Sequence, residues 1–399
     1  MIKSSFQDLT LSRLGFGAMR LPASETEASG IDEKQVFQMV DYALEHGVNY
    51  FDTAFPYHAG YSEVVLGKAL ARHPRESFYL ATKYPGHQIS DHYDPEKIFE
   101  EQLKKCGVDY FDFYLLHNVY ENSVQTYRDD RWGILDYFVK QKELGRIKHL
   151  GFSSHARPDT LEKFLDYCGD RIEFVQIQLN YLDWTLQDAK TKYELLTSRG
   201  IPVWVMEPIR GGRLAKLTEE QQAVLKELRP EEDCIAWSFR FLQGLPNVKM
   251  ILSGMSSFDQ MVDNVETFRE EKPLSDKERE TLLELAESMK ESVPCTACRY
   301  CCSGCPMQLD IPTLIGAYND LKFANNMMIV MQLDALPEDK LPSACIGCRK
   351  CTQVCPQNIE IPEVMKGLVE EVKKHPTWKQ MSAQREKEAE ELRKKGLAD

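Results

Sequence analysis

Eight of the chain's twelve cysteines fall in two runs of one spacing. The first is Cys295, Cys298, Cys301 and Cys305, followed by Pro306; the second is Cys345, Cys348, Cys351 and Cys355, followed by Pro356. Thiolates are soft ligands, and a tight loop of this kind presents three sulfurs to one centre. A [4Fe–4S] cluster takes four, so each proline turns the chain away and sends the last cysteine to the other cluster. One such run alone is open to a zinc reading. Two copies, each ending in Cys-Pro, specify two [4Fe–4S] clusters that share ligands crosswise. Cys302 is a further cysteine in the first run and the alternative ligand to Cys301; the match of Cys301 to Cys351 favours Cys301. Cys106, Cys168 and Cys234 stand alone and read as ordinary buried thiols.

The elements around these runs repeat as well. Residues 305–318 and 355–368 each carry Cys-Pro and then an Ile-Pro helix start, with proline in the tolerant first turn. The stretch from Met307 to Ala344 reads mostly as helix. This part resembles the α-helical ferredoxin modules of multisubunit reductases rather than the compact β-rich ferredoxin. Residues 292–375 are assigned to it, after a charged linking helix over 273–291 that opens at Ser275-Asp276. The mixed-charge tail, 376–399, reads as a solvated helix or frayed end.

Ahead of residue 272 the pattern alternates short apolar strands with amphipathic helices. Strands are expected at 13–20, 49–53, 78–83, 111–117, 148–154, 174–180, 202–207 and 248–253, with helices such as 32–46, 62–71, 95–106, 158–167, 186–198 and 233–243. Eight such units predict an α/β fold, a (β/α)8 TIM barrel over 1–272, followed by the small α-helical iron–sulfur domain. A doubly wound sheet is the alternative. Gly15-x-Gly17 lacks the third glycine of a dinucleotide fingerprint, which disfavours it.

Reactive side chains of such a barrel belong at the C-terminal ends of its strands. Asp52 ends the second, with Tyr57 five residues on; Lys83 ends the third and His117 the fourth. Here the chain resembles the aldo-keto reductase superfamily, whose catalytic Asp, Tyr, Lys and His occupy these places, and in particular its group fused to an iron–sulfur domain. The chemistry is coherent on its own terms. A carbonyl accepts hydride more readily when a proton donor meets the developing alkoxide. Tyrosine is a weak acid, with an ordinary pKa of about 10, and a neighbouring ammonium stabilises its anion. Tyr57 is the expected general acid, Lys83 and Asp52 tune it, and His117 orients the substrate. A single Asp, Lys, His or Tyr at such a place is usually surface charge or packing; the four in order at successive strand ends favour a site.

The same resemblance implies an NADP(H) or NAD(H) site, with Ser153, Ser154 and Gln176 at the nicotinamide carboxamide and Asn180 nearby. It also implies Arg20, Gly211, Gly212 and Arg213 at the pyrophosphate. Two departures stand out. Met206, in Met206-Glu207-Pro208, replaces the usual stacking aromatic, and Ser253–Gln260 holds no Lys or Arg for an adenosine 2′-phosphate. NADPH and NADH both stay open. Nothing reads as a flavin site, although a flavin commonly links hydride to single-electron chemistry. Tyr120, Tyr127 and Arg128, in the loop after the fourth strand, either line a site for a polar ring-shaped molecule or cover the barrel.

Three functions remain. The barrel interconverts a small carbonyl compound and its alcohol while the clusters exchange electrons with it or with a partner protein. Alternatively, it is a conventional carbonyl reductase with structural clusters, or a nucleotide-sensing scaffold in an electron-transfer complex. The net charge of −13 argues against nucleic acid as partner. No apolar run is long enough for a membrane span, and Met1–Gly15 lacks the apolar stretch of a signal peptide. A reducing cytoplasm suits so many free thiols.

Overall fold

The computed structural model describes residues 1–88, 90–289, 293, 295, 299–323, 327–355 and 359–376, with 380, 381, 383, 384, 386, 387 and 390 of the tail. Internal contacts divide the chain into two compact units, Met1–Leu282 and Leu283–Lys387. The division falls within the helix Asp276–Ser288. That helix begins where Ser275-Asp276 predicts: the Ser275 backbone N–H and hydroxyl both donate to the Glu278 carboxylate, at 2.8 Å each. Among the described residues no helix is long and apolar enough to cross a membrane.

The first unit opens with an antiparallel hairpin, β1 (Lys3–Phe6) and β2 (Leu9–Ser12). Eight parallel strands follow: β3 (Leu14–Gly17), β4 (Tyr50–Asp52), β5 (Tyr79–Tyr84), β6 (Phe111–Val119), β7 (Ile147–Ser154), β8 (Phe174–Gln178), β9 (Val203–Met206) and β10 (Val248–Gly254). Each pairs with the next and β10 pairs with β3, so the sheet closes into a barrel. The eight expected strand positions are the eight barrel strands. The helices between them start at legible caps. Asp32, Asp94 and Asp233 each accept a backbone N–H from the first turn of Glu33–Glu45, Pro95–Cys106 and Cys234–Gln243.

The barrel interior is filled, as side-chain layers require. Tyr50, Phe113, Phe174, Trp204 and Met250 pack in one cluster with Leu11 and Leu252. Phe6 of the hairpin joins it, with its ring 4.9 Å from Trp204 and 5.1 Å from His149. Those partners lie at or near the starts of their strands, so β1 and β2 plug the N-terminal end and leave the opposite end for a site. Gly15 belongs to this packing and not to a phosphate loop. A Cβ there would come within 2.6 Å of Leu252 and 2.7 Å of Met250.

The second unit is helical. Ile311–Phe323 and Ile361–Lys373, the two Ile-Pro repeats, pack together with Met327–Asp334 around Leu309, Leu314, Ile315, Val330, Leu333, Ile361, Met365 and Leu368. Gly367 lets the pair approach: a Cβ would meet the Tyr318 hydroxyl at 2.7 Å. Asn319 holds the chain entering the first cysteine run, accepting from the Val293 N–H at 2.7 Å and donating to its carbonyl at 3.1 Å. Cys298 lies outside the described residues, as does most of the tail.

Candidate active site and cluster ligands

Asp52, Lys83 and Tyr57 meet at the C-terminal end of the barrel. The three donors of the Lys83 ammonium all have acceptors: Asp52 Oδ1 at 2.5 Å, the Thr53 carbonyl at 2.7 Å and the Tyr57 hydroxyl at 3.5 Å. Lys83 is fully buried and Asp52 nearly so. Burial penalises the ammonium, yet the charge of Asp52 and the hydrogen bonds to Asp52 and Tyr57 oppose it and Lys83 stands above the ordinary lysine value. For Tyr57 the balance runs the other way. Burial raises its phenol above the usual value, Lys83 opposes, and Asp52 and Glu207 add to the rise. The ammonium therefore acts in the expected sense, but the resting tyrosine stays firmly protonated.

Tyr57 is aimed by an unusual turn. His58 and Ala59 take left-handed backbone angles, φ 51° and 54°, which cost non-glycine residues energy. The reversal brings the His58 ring back to the loop after β3, where Nε2 accepts the Leu21 N–H at 3.0 Å. Burial lowers the His58 pKa, which suits a neutral acceptor.

His117 completes the expected four. Its ring stands edge-on to Tyr57, 5.7 Å between centroids, and 4.5 Å from His87. His87 is a buried second imidazole in the loop after β5 that the sequence did not single out. Tyr127 covers the barrel and does not line the site: it is buried, and its hydroxyl donates to the His117 carbonyl at 2.6 Å and to that of Tyr84 at 3.2 Å. Arg128 lies over the ring of Tyr167.

The nicotinamide positions divide. Ser153 and Gln176 are register partners on β7 and β8, both buried. Ser153 Oγ accepts the Asn118 N–H at 2.8 Å and keeps its own proton to donate, while Gln176 Oε1 has no hydrogen-bond partner. A donor beside a buried orphaned acceptor fits a primary carboxamide. Ser154 is spent on its loop, donating to the Val119 carbonyl and accepting the Ala156 N–H. Asn180 is likewise committed, to Asp183 and to the Glu207 carbonyl. Gly211 and Gly212 take positive φ in the turn Arg210–Ala215, which Arg213 shares by its backbone. Arg20 pairs with Glu207 at 2.8 Å.

In the second unit Cys305, Cys345, Cys348 and Cys351 line one cavity with Met307, Leu309, Ile361 and Met365. One thiol from the first run thus joins three from the second, and the apolar walls fit a [4Fe–4S] cluster. Cys295, Cys301 and Cys355 pack against the same core. Burial pushes the Cys301 thiol up to about 12, with Cys302 and Cys295 adding to the rise, so ligation there must expel protons.

Fold and site together define a barrel oxidoreductase carrying an iron–sulfur module. A model of the aldo/keto reductase family matches residues 13–301, and one of the 4Fe-4S dicluster domain matches residues 294–360. The chain belongs to the aldo/keto reductase family, fused to a 4Fe–4S dicluster domain. It is similar to a probable aldo-keto reductase of Glycine max, 30% identical over 53% of this chain and 60% of that protein. It is also similar to the NADH-specific methylglyoxal reductase of Escherichia coli, 24% identical over 71% of this chain and 97% of that one. Among solved structures, the holo form of an aldo-keto reductase from Bacillus halodurans superposes with a TM-score of 0.59 at 28% identity, over 71% of this chain and 96% of that one.

Proposed function

We propose that the barrel interconverts a small carbonyl compound and its alcohol with a nicotinamide cofactor, and that the two clusters carry single electrons between the barrel's cofactor and a partner. The observation that supports this most is the ammonium of Lys83, held on Asp52 and Thr53 with its third donor on the Tyr57 hydroxyl. When bound, the nicotinamide supplies or accepts a hydride at the carbonyl carbon. Tyr57 gives its phenolic proton to the carbonyl oxygen as that oxygen becomes an alkoxide. Lys83 stabilises the phenolate left behind, and Asp52 keeps Lys83 charged and in place. His117 orients the carbonyl oxygen toward Tyr57. In alcohol oxidation Tyr57 takes the proton back. Ser153 and Gln176 would hold the carboxamide, and Arg20, Gly211, Gly212 and Arg213 would meet the pyrophosphate. The similarity to an NADH-specific reductase, and Ser253–Gln260 without Lys or Arg, favour NADH.

An anaerobic titration of the reconstituted protein with NADH and then NADPH, followed by cluster absorbance and EPR, tests the coupling. Bleaching by either nucleotide supports electron exchange between the two units. Tight nucleotide binding and carbonyl turnover without bleaching would leave a conventional reductase and sink the electron-transfer half of the proposal.

A further inference from the structure

The Met206-Glu207-Pro208 segment puts a carboxylate where an anionic cofactor is expected, and its backbone there is held. Glu207 has a left-handed backbone, φ 57°, and its carbonyl accepts from Asn180 Nδ2 and from the Arg210 N–H, each at 3.0 Å. Pro208 follows and stiffens the backbone at this point. The carboxylate reaches Arg20 across the mouth of the barrel, from the loop after β9 to the loop after β3, at 2.8 Å. Arg20 is held on the third side as well. Its stem passes over Gly254, and its backbone carbonyl accepts the Ser256 hydroxyl at 2.8 Å. A side chain at Gly211 would touch both members of the pair, coming 3.4 Å from the Arg20 guanidinium and 3.5 Å from the Glu207 carboxylate. The pair is only partly exposed, at 42% for Arg20 and 21% for Glu207.

The cation assigned to the cofactor's diphosphate is therefore already paired. A diphosphate and Glu207 carry charge of one sign, and bringing both to one guanidinium costs energy through like-charge repulsion. We propose that Glu207 is an internal competitor for the anion site at Arg20, occupying the guanidinium in the empty barrel and yielding it to the diphosphate of the dinucleotide. The proposal rests on the nicotinamide reading above.

The test is equilibrium binding of NADH and of ADP-ribose, which carries the diphosphate without the nicotinamide, by quenching of tryptophan fluorescence. Wild type, Glu207→Gln, Arg20→Gln and the double variant are compared, with circular dichroism and thermal melting to establish folding. Glu207→Gln should tighten both ligands about threefold to fivefold, the size expected of a partly exposed ion pair. Arg20→Gln should weaken both, and in its background Glu207→Gln should bring no further gain. Unchanged or weaker binding to a folded Glu207→Gln, or a gain that persists without Arg20, would overturn the competitor. If neither ligand binds any of the four folded proteins, the nicotinamide reading itself falls, and the competitor with it.

Discussion

The two units solve the same problem, holding reactive groups in register, by opposite means. In the barrel unit the candidate groups are held by protein alone. Lys83 has every donor satisfied, and beneath it a buried relay ties helix Tyr61–Leu70, strand β5 and strand β6 together. Thr82 and Gln102 donate to Glu63 at 2.6 and 2.7 Å, and the Tyr114 hydroxyl donates to Gln102 at 2.5 Å. In the cluster unit Cys305, Cys345, Cys348 and Cys351 line an apolar cavity with aliphatic walls. Rigid preorganisation suits a proton donor that must meet an alkoxide within a few tenths of an ångström. Ligand loops can be looser, because the cluster supplies the bonds that close them.

The largest effect should come from breaking the looser unit. Cys351→Ala removes a buried cysteine that we propose as a cluster ligand, and ligation of a structural metal contributes on the order of 10 kcal/mol to folding. Iron content of the reconstituted variant should fall by half or more, and limited proteolysis should cut within Leu283–Lys387 while Met1–Leu282 survives. Loss of both fragments together would show that the barrel also depends on the clusters.

Tyr57→Phe removes a proton and leaves the packing. Carbonyl reduction should fall by about a hundredfold or more, the range of general acid catalysis, with nucleotide affinity and melting temperature unchanged. A variant that still turns over would refute Tyr57 as the acid. Phe6→Ala does the converse. It empties part of the floor beside Trp204, Phe113 and Phe174 and should cost about 3–5 kcal/mol in chemical denaturation. Below the denaturation range it should leave turnover near normal, since the floor lies at the far end of the barrel from Tyr57.

What could be read in advance follows the same division. The barrel strands were legible because each is a short apolar run ending at a polar residue, and the four candidate residues because each stands at or just past such an end. The cysteines were legible by spacing alone. Contacts between distant segments were not. Lys3–Ser12 is too short and too polar to announce a hairpin, and only the filled floor explains it. His87 lies near His117 where Tyr127 ties the end of β5 to β6, and Gly86 admits the ring: a Cβ there would come within 2.6 Å of Tyr127. The departure read in Met206-Glu207-Pro208 was Met206; Glu207 was not singled out, because its pairing with Arg20 spans 187 positions of sequence. Ser154 and Asn180 sit where a cofactor contact was expected, and their own loops have claimed them.

Glu63 offers the smallest effect and the sharpest view of how the barrel holds its site. It is fully buried, and burial lifts its pKa to about 7 against the pull of Lys105, Thr82 and Gln102. A carboxyl whose folded pKa lies above its unfolded value binds its proton more tightly in the fold. The stability this adds is complete below the unfolded value of about 4.5 and is lost as pH rises through about 7. The difference amounts to on the order of 3 kcal/mol across that window. Glu63→Gln keeps an acceptor for Thr82 and Gln102 but carries no titrating proton. Its stability in urea should therefore be flat between pH 5 and 8, where the wild type loses stability with rising pH. The two should be nearly equal at pH 5, and the variant the more stable at pH 8. Because Thr82 adjoins Lys83, a charged Glu63 also disturbs the strand that carries the ammonium, so the wild type's alkaline loss of reductase activity should begin earlier than the variant's. Parallel stability curves for the two proteins would mean that Glu63 is ionised throughout and that the relay beneath Lys83 carries a charge after all.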